Sequence, residues 1–373
     1  VSNKQIKQIE LELNQKYFER REVIRGLLVA LLSKQHILLL GAPGSAKSAL
    51  TEDLCQRVGG IYFKKLVTKT STPEELFGPI SLQALKQDSY RRVTTGRLPE
   101  ANISFIDEIF KCNSAVLNGL LGILNEREFE NGGSIVKVPL QFLAGASNEL
   151  PEDREELGAL WDRFLLRYVV DYIRDPRNFE LLLKGNLNSS AVTSLSESEL
   201  AADQKEVESI DISNIIPQIF KIRDRMIELK IDISDRRWKQ VLLLIKANAW
   251  IEDRKQAIED DLEILTFALW QEPDQITTVK KEIMNLCNPF DREALDLHDQ
   301  AVELYQNAIN APEGKEAASA GIETNSKLKQ IIKKLEELQQ ATKGAGKSDS
   351  RIAGYLEKVS EYNKAVVNKC LGV

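Results

Sequence analysis

Histidine is nearly absent from this sequence: 373 residues contain only His36 and His298. A catalytic or metal centre built on imidazole has almost nothing to work with. The cysteines Cys55, Cys112, Cys287 and Cys370 lie far apart and form no C-x-x-C pair. That argues against a disulfide framework or a cysteine zinc site and makes a reducing cytoplasm the expected compartment. Long apolar runs are missing as well. Even VIRGLLVALLSKQHILLL, residues 23–40, is interrupted by Arg25 and by Ser33 to His36, too often to span a bilayer. The first residues show neither the basic nor the apolar region of a secretory leader. An excess of positive charge is also lacking: 50 Lys and Arg stand against 56 Asp and Glu, a formal charge of -6. This disfavours a broad nucleic-acid-binding face, although a local basic patch stays open.

What remains, 43% apolar and 28% charged residues, is the composition of a globular chain long enough for two or three domains. Apolar residues recur at helical spacing up to Leu28. Short β-rich runs follow at 37–40, 61–67, 103–106, 142–146 and 166–173, with helix-like segments between them at 48–58 and 113–125. Near-continuous apolar strands alternating with helices predict a parallel sheet covered on both faces. In FENGGSIVKV, Asn131-Gly132-Gly133 sits between alternating runs and reads as a hairpin. The polar, serine-rich stretch GNLNSSAVTSLSESELAADQKE predicts a linker over 191–210 after a first domain of 1–190. Helices are expected at 211–230, 234–250 and 257–270, forming a small domain over 211–275. A helical extension, 276–373, follows with helices at 291–310, 322–341 and 349–371. Leu328, Ile331, Leu335 and Leu338 share one face, as do Ile352, Leu356, Val359 and Val366, so these helices should pack as an antiparallel bundle or coiled coil.

The chemistry concentrates in a few stretches. ILLLGAPGSAKSAL, residues 37–50, matches the phosphate-binding pattern G-x-x-x-x-G-K-[ST] except that Ala46 replaces the second glycine. A buried-strand run precedes the loop and an amphipathic helix follows. Backbone N–H groups at that helix start would face phosphates, with Lys47 reaching the β- and γ-phosphates and Ser48 ligating Mg²⁺. The Ala46 methyl is tolerable if its backbone torsions are not those reserved for glycine. An ordinary Gly-Pro turn is the competing reading. Near the other end, ATKGAGKSDS spells the closing G-K-S correctly at Gly346-Lys347-Ser348, but Ala341 holds the first glycine position and the charged KKLEELQQ precedes it. That segment reads as a helix stop and a new helix capped by Ser348 or Asp349.

ISFIDEI ends an apolar strand in Asp107-Glu108, where an acidic residue can hold Mg²⁺ through water and the next can polarise an attacking water. FLAGASNEL ends at Asn148, whose amide could orient that water; a simple turn asparagine before Leu150-Pro151 is the alternative. LWDRFLLRYVV offers Arg163 and Arg167, either to a neighbouring subunit's γ-phosphate or to a surface pair with Asp162 or Glu156. In ISDRRWKQVLLLI, Ser234 can cap a helix whose first turn carries Arg236 and Arg237, a placement that opposes the helix dipole and suits a phosphate. Trp238, Trp250 and Trp270 are expected in the core or at an interface.

This ordered set resembles the AAA+ ATPases, in particular the MoxR branch and its RavA-like group, over roughly residues 10–270. GAPGSAKS, STPEELFGPISLQALK, TTGRLPEANISFIDEIFK, LNEREFENGG, ASNELPE, LWDRFLLR and SDRRWK carry the resemblance. It implies an α/β fold, an αβα core of sheet order 5-1-4-3-2, then an all-helical lid and, here, a helical C-terminal extension. It also implies ATP or ADP with Mg²⁺ at the subunit interfaces of a homo-hexameric ring. Gly41, Ala42, Pro43, Gly44, Ser45, Ala46, Lys47, Ser48 and Ala49 correspond to the Walker A nucleotide site. Ser48 and Asp107 would hold the metal, and Asp107-Glu108 is the Walker B pair with Glu108 catalytic. Asn148 resembles sensor 1, Arg163 the arginine finger with Arg167 as fallback, and Arg236 sensor 2 with Arg237 competing. The Asn-Gly-Gly hairpin resembles one that points into the ring's pore. Some members carry a small β-rich domain in the extension that recruits a partner enzyme; NAPEGKEAASAG and KGAGKSD are too short to hold one. The expected function is ATP-driven remodelling of a protein client, with a von Willebrand factor A domain protein as partner. A DNA-acting motor and a catalytically silent nucleotide-gated scaffold are the alternatives. Nucleic acid is disfavoured by the charge, and silence by the presence of Glu108, Asn148 and Arg163.

Overall fold

The computed structural model describes residues 2–151, 154–185, 192–309, 315–344 and 349–371. The chain divides into two compact units, 1–276 and 277–373.

In the first unit, α1 (Ser2–Lys16) leads to α2 (Arg21–Ser33), which is buried on nearly every side and stops at Lys34 in a left-handed cap. Gly26 lets it lie against the sheet, because a Cβ there would come 2.3 Å from Tyr168 Oη. β1 (His36–Leu40) is buried at all five positions, which explains its unbroken apolar sequence. α3 (Lys47–Arg57), β2 (Tyr62–Leu66), the short α4 (Pro73–Phe77) and α5 (Leu82–Leu85), and β3 (Ile103–Asp107) follow. α6 (Ser114–Glu126) is capped by Asn113, whose side chain accepts from Val116 N–H at 3.1 Å. It runs into the hairpin β4 (Glu128–Asn131) and β5 (Ser134–Lys137). Gly132 and Gly133 both have positive φ, +65° and +75°, as a two-residue type I′ turn requires. β6 (Phe142–Ser147), α7 (Arg154–Arg163) and β7 (Phe164–Val169) complete the core. The sheet is parallel, ordered β2-β3-β6-β1-β7. With the hairpin strands set aside this is the implied order 5-1-4-3-2.

After α8 (Pro176–Lys184), the expected linker needs correction: its residues 197–208 form the helix α9 (Glu197–Glu208). Its serines act as caps. Ser196 Oγ accepts from Glu199 N–H at 3.3 Å while Glu199 Oε2 accepts from Ser196 N–H at 2.8 Å. Leu200, Asp203, Gln204 and Val207 are buried, and Gln204 donates to Leu31 O at 2.9 Å. The segment is therefore part of the fold, with α9 packed on α1 and α2.

The expected helix at 211–230 begins only at α10 (Ile216–Glu228), where Pro217 occupies the first turn. α11 (Asp235–Ile251) packs on α2 and α9. Residues 259–267 form a tighter 3₁₀ run rather than an α-helix. Buried Asp261 fixes its start by accepting from Ile258 N–H at 2.9 Å and from Asn248 at 2.8 Å. Trp250 and Trp270 are buried, and Trp238 is half-buried. α12 (Gln275–Cys287) follows.

In the second unit, α13 (Pro289–Ile309), α14 (Lys315–Gly344) and α15 (Ser350–Val366) pack together. Arg351 pairs with Asp291 at 3.1 Å at one end, and Lys369 reaches Ile309 O at 2.8 Å at the other. α13 and α15 therefore run parallel and α14 antiparallel to both. Leu328, Ile331 and Leu335 meet Ile352, Val359 and Val366 in the core, with Leu338 and Leu356 at its margin. Gly346, Lys347 and Ser348 lie outside the described residues. Asp349 does not cap α15; its carboxylate goes back to Gln339 and Lys343, at 2.6 and 3.2 Å. No helix among the described residues is long and apolar enough to cross a membrane.

Candidate active site

Three neighbouring strands, β3, β6 and β1, deliver their C-terminal ends to one edge of the sheet. From β1 the chain turns at Gly41, whose N–H donates to Ser147 O at 3.0 Å. A Cβ on Gly41 would lie 2.2 Å from Val170 O, so only glycine fits. The loop ends at Ala46 with φ +69° and ψ 16°, the left-handed region. This overturns the condition under which alanine was expected to be tolerated: the torsions are glycine's, and the methyl costs on the order of 1 kcal/mol.

Among the described residues, the N–H groups of residues 44–48 have no acceptor within the chain, and α3 has no side-chain cap. Lys47 is buried and folds back, donating to Gly41 O at 2.6 Å and Ala42 O at 2.9 Å. Burial pulls its pKa down, opposed by the Asp107 and Glu108 carboxylates. A rim of unpaired N–H donors around a lysine and the start of an 11-residue helix fits a phosphate chain. Among the described residues no group of three or more His, Cys, Asp or Glu could hold a metal by itself. A Mg²⁺ held by Ser48 and Asp107 would have to take its other ligands from phosphates and water.

Glu108 follows β3 in the left-handed region, φ 53°. Its N–H donates to Asp107 Oδ1 at 3.1 Å. One carboxylate oxygen accepts from Asn148 Nδ2, and the other pairs with Lys111 at 3.2 Å. Asn148 Oδ1 in turn lies 3.4 Å from Lys47 Nζ. Lys47, Asn148 and Glu108 thus form one connected chain of contacts at the sheet edge, with Asp107 beside it.

The arginines lie elsewhere. Phe164 pairs with His36 and Val169 with Leu40, so Arg163, just before β7, sits at the N-terminal edge of the sheet. Five residues of strand separate it from the level of the loop, about 16 Å. Arg236 donates to Asn125 at 2.9 Å, near the end of α6, whose Leu124 O contacts His36 at this same edge. Among the described residues neither arginine touches the Gly41–Ser48 loop, Asp107, Glu108 or Asn148.

Among the described residues Arg163 has only Asp162, at 3.5 Å, as an ion-pair partner, and its Nε lacks an acceptor. Burial and the neighbouring Arg236 lower its pKa. The two arginines are close enough to repel each other, and Asp162 and Glu126 offset part of that repulsion. The fallback candidates are committed to the fold. Arg167 is fully buried, bonds Phe164 O, Trp270 O and Trp161 O, and stacks 4.2 Å over the Trp161 ring. Arg237 is buried on Ala268 O, Phe164 O and Leu165 O. The side chain of Glu156 lies outside the described residues.

Three residues that support the loop carry no sequence signal. Arg20 is buried and donates to Ser45 O at 3.3 Å and Asp171 O at 2.5 Å. Tyr17 Oη donates to Ala49 O, and Tyr172 Oη to Pro43 O, each at 3.0 Å. They come from segments distant in sequence and meet the loop only in the fold.

The sheet order and the motifs at its edge define a P-loop ATPase fold of the AAA+ class with a helical lid. Residues 4–210 match the family model of the MoxR domain in MoxR-vWA-β-propeller ternary systems, and residues 214–283 match an AAA lid domain. The chain belongs to the MoxR family of AAA+ ATPases. The match defines the family and does not reach the RavA-like group within it. Two uncharacterised proteins of Methanocaldococcus jannaschii are 43% and 37% identical to it. They cover 82% and 97% of this chain and 79% and 98% of their own. The chaperone MoxR1 of Mycobacterium tuberculosis is 30% identical over 44% of this chain and 43% of its own. A Cytophaga hutchinsonii crystal structure assigned as an ATPase shares the fold with a TM-score of 0.60 at 17% identity, covering 76% of this chain and 93% of that one.

Proposed function

We propose that this chain hydrolyses ATP at sites shared between copies in a ring, six as the resemblance implies, and uses the cycle to remodel a protein client. The observation that carries the reading is the separation of the two edges. The Walker-type residues converge at one end of the sheet, while Arg163 and Arg236 lie about 16 Å away at the other. Within one copy they cannot meet a common phosphate; between a copy and its neighbour they can.

The residues then divide the work. The N–H groups of residues 44–48 and Lys47, released from its loop carbonyls, bind the phosphates. Ser48 and Asp107 hold Mg²⁺, which neutralises phosphate charge. Glu108 polarises the attacking water and Asn148 orients the pair. Arg163 and Arg236 of the neighbouring copy approach the γ-phosphate, so both act on another subunit's nucleotide.

The hairpin bears on the client. Ile135 is 70% exposed and Val136 46%, whereas Lys137 is ion-paired with Glu128. This exposed apolar pair on β5, just behind the turn, suits a polypeptide better than DNA. The description of the matching family model names MoxR-vWA systems, which supports a von Willebrand factor A domain partner.

Mg²⁺-dependent turnover per subunit, measured across protein concentration with Arg163→Ala alongside, tests this. Specific activity should climb with concentration, and the variant should bind ATP but not turn it over. Flat activity and a silent variant would remove the shared site.

A further inference from the structure

Like the four-residue α5, α8 buries none of its residues, but it is a full helix with an amphipathic sequence, PRNFELLLK. Phe179 is 50% exposed, Leu182 51% and Leu183 71%. The helix is held at its start: Glu19 accepts from the N–H groups of Arg174 and Asp175 at 3.0 and 2.9 Å and from Asn178 at 3.0 Å. Glu19 precedes Arg20, which carries Ser45 O of the loop, and Tyr172 Oη touches Pro43 O. α8 therefore sits beside the phosphate edge and is fixed to it. Its flanking charges cancel locally, Arg174 with Asp171, Arg177 with Asp175 and Lys184 with Glu180.

At the opposite edge of the sheet in the first unit a cavity of about 390 Å³ opens between α10, the start of α11 and the end of α7. Met226, Ile227 and Trp238 give it an apolar wall, and Asp162, Asp232 and Arg223 lie at its polar margin. Ile227 is 57% exposed. The position of the cavity matters: Asp162 adjoins Arg163, and Ser234 caps the helix that bears Arg236.

We infer that the α8 of one copy seats Phe179 and Leu183 in the Met226–Ile227–Trp238 cavity of the next, as the apolar anchor of the shared ATP site. This rests on the proposed function. If Arg163 and Arg236 reach a neighbour's phosphates, the wall beside them faces the structure beside those phosphates, which is α8. An exposed apolar helix is left on one face and an open apolar cavity on the other. The contact is heterologous, so it repeats around a ring.

Leu183→Glu and Ile227→Glu, each at an exposed site, test the inference by sedimentation with Mg-ATP, with circular dichroism and binding of a fluorescent ATP analogue as checks on folding. Each variant alone should raise the concentration needed for assembly about ten-fold or more, as loss of one buried leucine-sized contact does. A mixture of the two should form dimers and stop there, because one good helix meets one good cavity. If both variants assemble like the wild type and keep turnover that Arg163→Ala abolishes, the docking is wrong and the shared site stands. If the wild type never assembles and its turnover is flat, the shared site fails and the docking with it. Dimers from Ile227→Glu alone, whose α8 is intact, would mean that α8 pairs with itself, which also overturns the inference.

Discussion

The two edges of the parallel sheet treat polar groups in opposite ways. At the edge where β1, β3 and β6 end, N–H groups of the loop lack acceptors among the described residues, and Lys47 folds back on two loop carbonyls and reaches Asn148. At the other edge Arg167 and Arg237 are saturated with backbone carbonyls, while Arg163 and Arg236, their neighbours in sequence, are not. Buried polar groups are normally satisfied, so a largely buried atom without a partner, such as Arg163 Nε, is where a ligand group can be sought. One edge offers unpaired donors and the other surface cations. In the proposed function both serve one anion, and about 16 Å of strand keeps them from sharing it within a single copy.

The largest way to break this comparison is Arg163→Ala. It should lower turnover by about 10³-fold or more while leaving ATP affinity and melting temperature nearly unchanged. Full activity with normal assembly would show that the two edges do not cooperate. Glu108→Gln follows, with an expected loss of about 10² to 10³-fold and retained nucleotide, since the amide keeps the contact to Asn148 but cannot take a proton. A filter-binding assay beside a phosphate-release assay separates trapping from loss of binding. Unchanged turnover would sink the mechanism.

Adjacent residues sharpen the contrast within one edge. Arg237→Ala strands three backbone carbonyls and should cost about 3 kcal/mol in urea unfolding. Arg236→Ala should stay within about 0.5 kcal/mol yet slow turnover. The reverse pattern would exchange their roles.

On the loop side, α3 is anchored by a buried network in which Arg57 meets both Asp53 and Glu12. Burial alone would raise the Glu12 pKa, but hydrogen bonds from Thr193, Gln8 and Arg57 outweigh it and hold it at about 2, against an ordinary 4.5. A depressed carboxyl pKa contributes stability above the unfolded value, and this is lost as pH falls through the folded one. The stability difference between wild type and Glu12→Gln should therefore be constant above pH about 4.5 and shrink towards pH about 2. Equilibrium unfolding across that window reads it directly.

Much of this was legible beforehand because it depends on local pattern. Buried parallel strands must be apolar throughout, and that put β1, β3 and β6, with the residues at their tips, in view. What was misread depends on partners. SLSESEL looked like a linker because its serines are polar, whereas Ser196 and Glu199 form a reciprocal cap and Leu200 and Val207 face inward. Arg163 could not be separated from Arg167 by type or spacing. Only the boundary between α7 and β7, which falls between them, makes one a surface cation and the other a buried tie. Arg20 and Tyr172 are known only through the loop they touch.

The smallest effect concerns the letter that looked wrong. Ala46 lies at φ +69°, where an L side chain carries a penalty of about 1 kcal/mol that glycine avoids. Glycine also gains freedom in the unfolded chain, which offsets part of that gain. Ala46→Gly should then stabilise the nucleotide-free protein by no more than about 1 kcal/mol, a rise of about 2 °C in melting temperature. ATP affinity should hardly change, because the loop N–H groups keep their positions. A lower melting temperature would mean that the methyl contributes packing worth more than the strain, and a weaker ATP affinity would mean that alanine holds the loop ready for phosphate. Either outcome would turn the apparent defect in the motif into a reason for it.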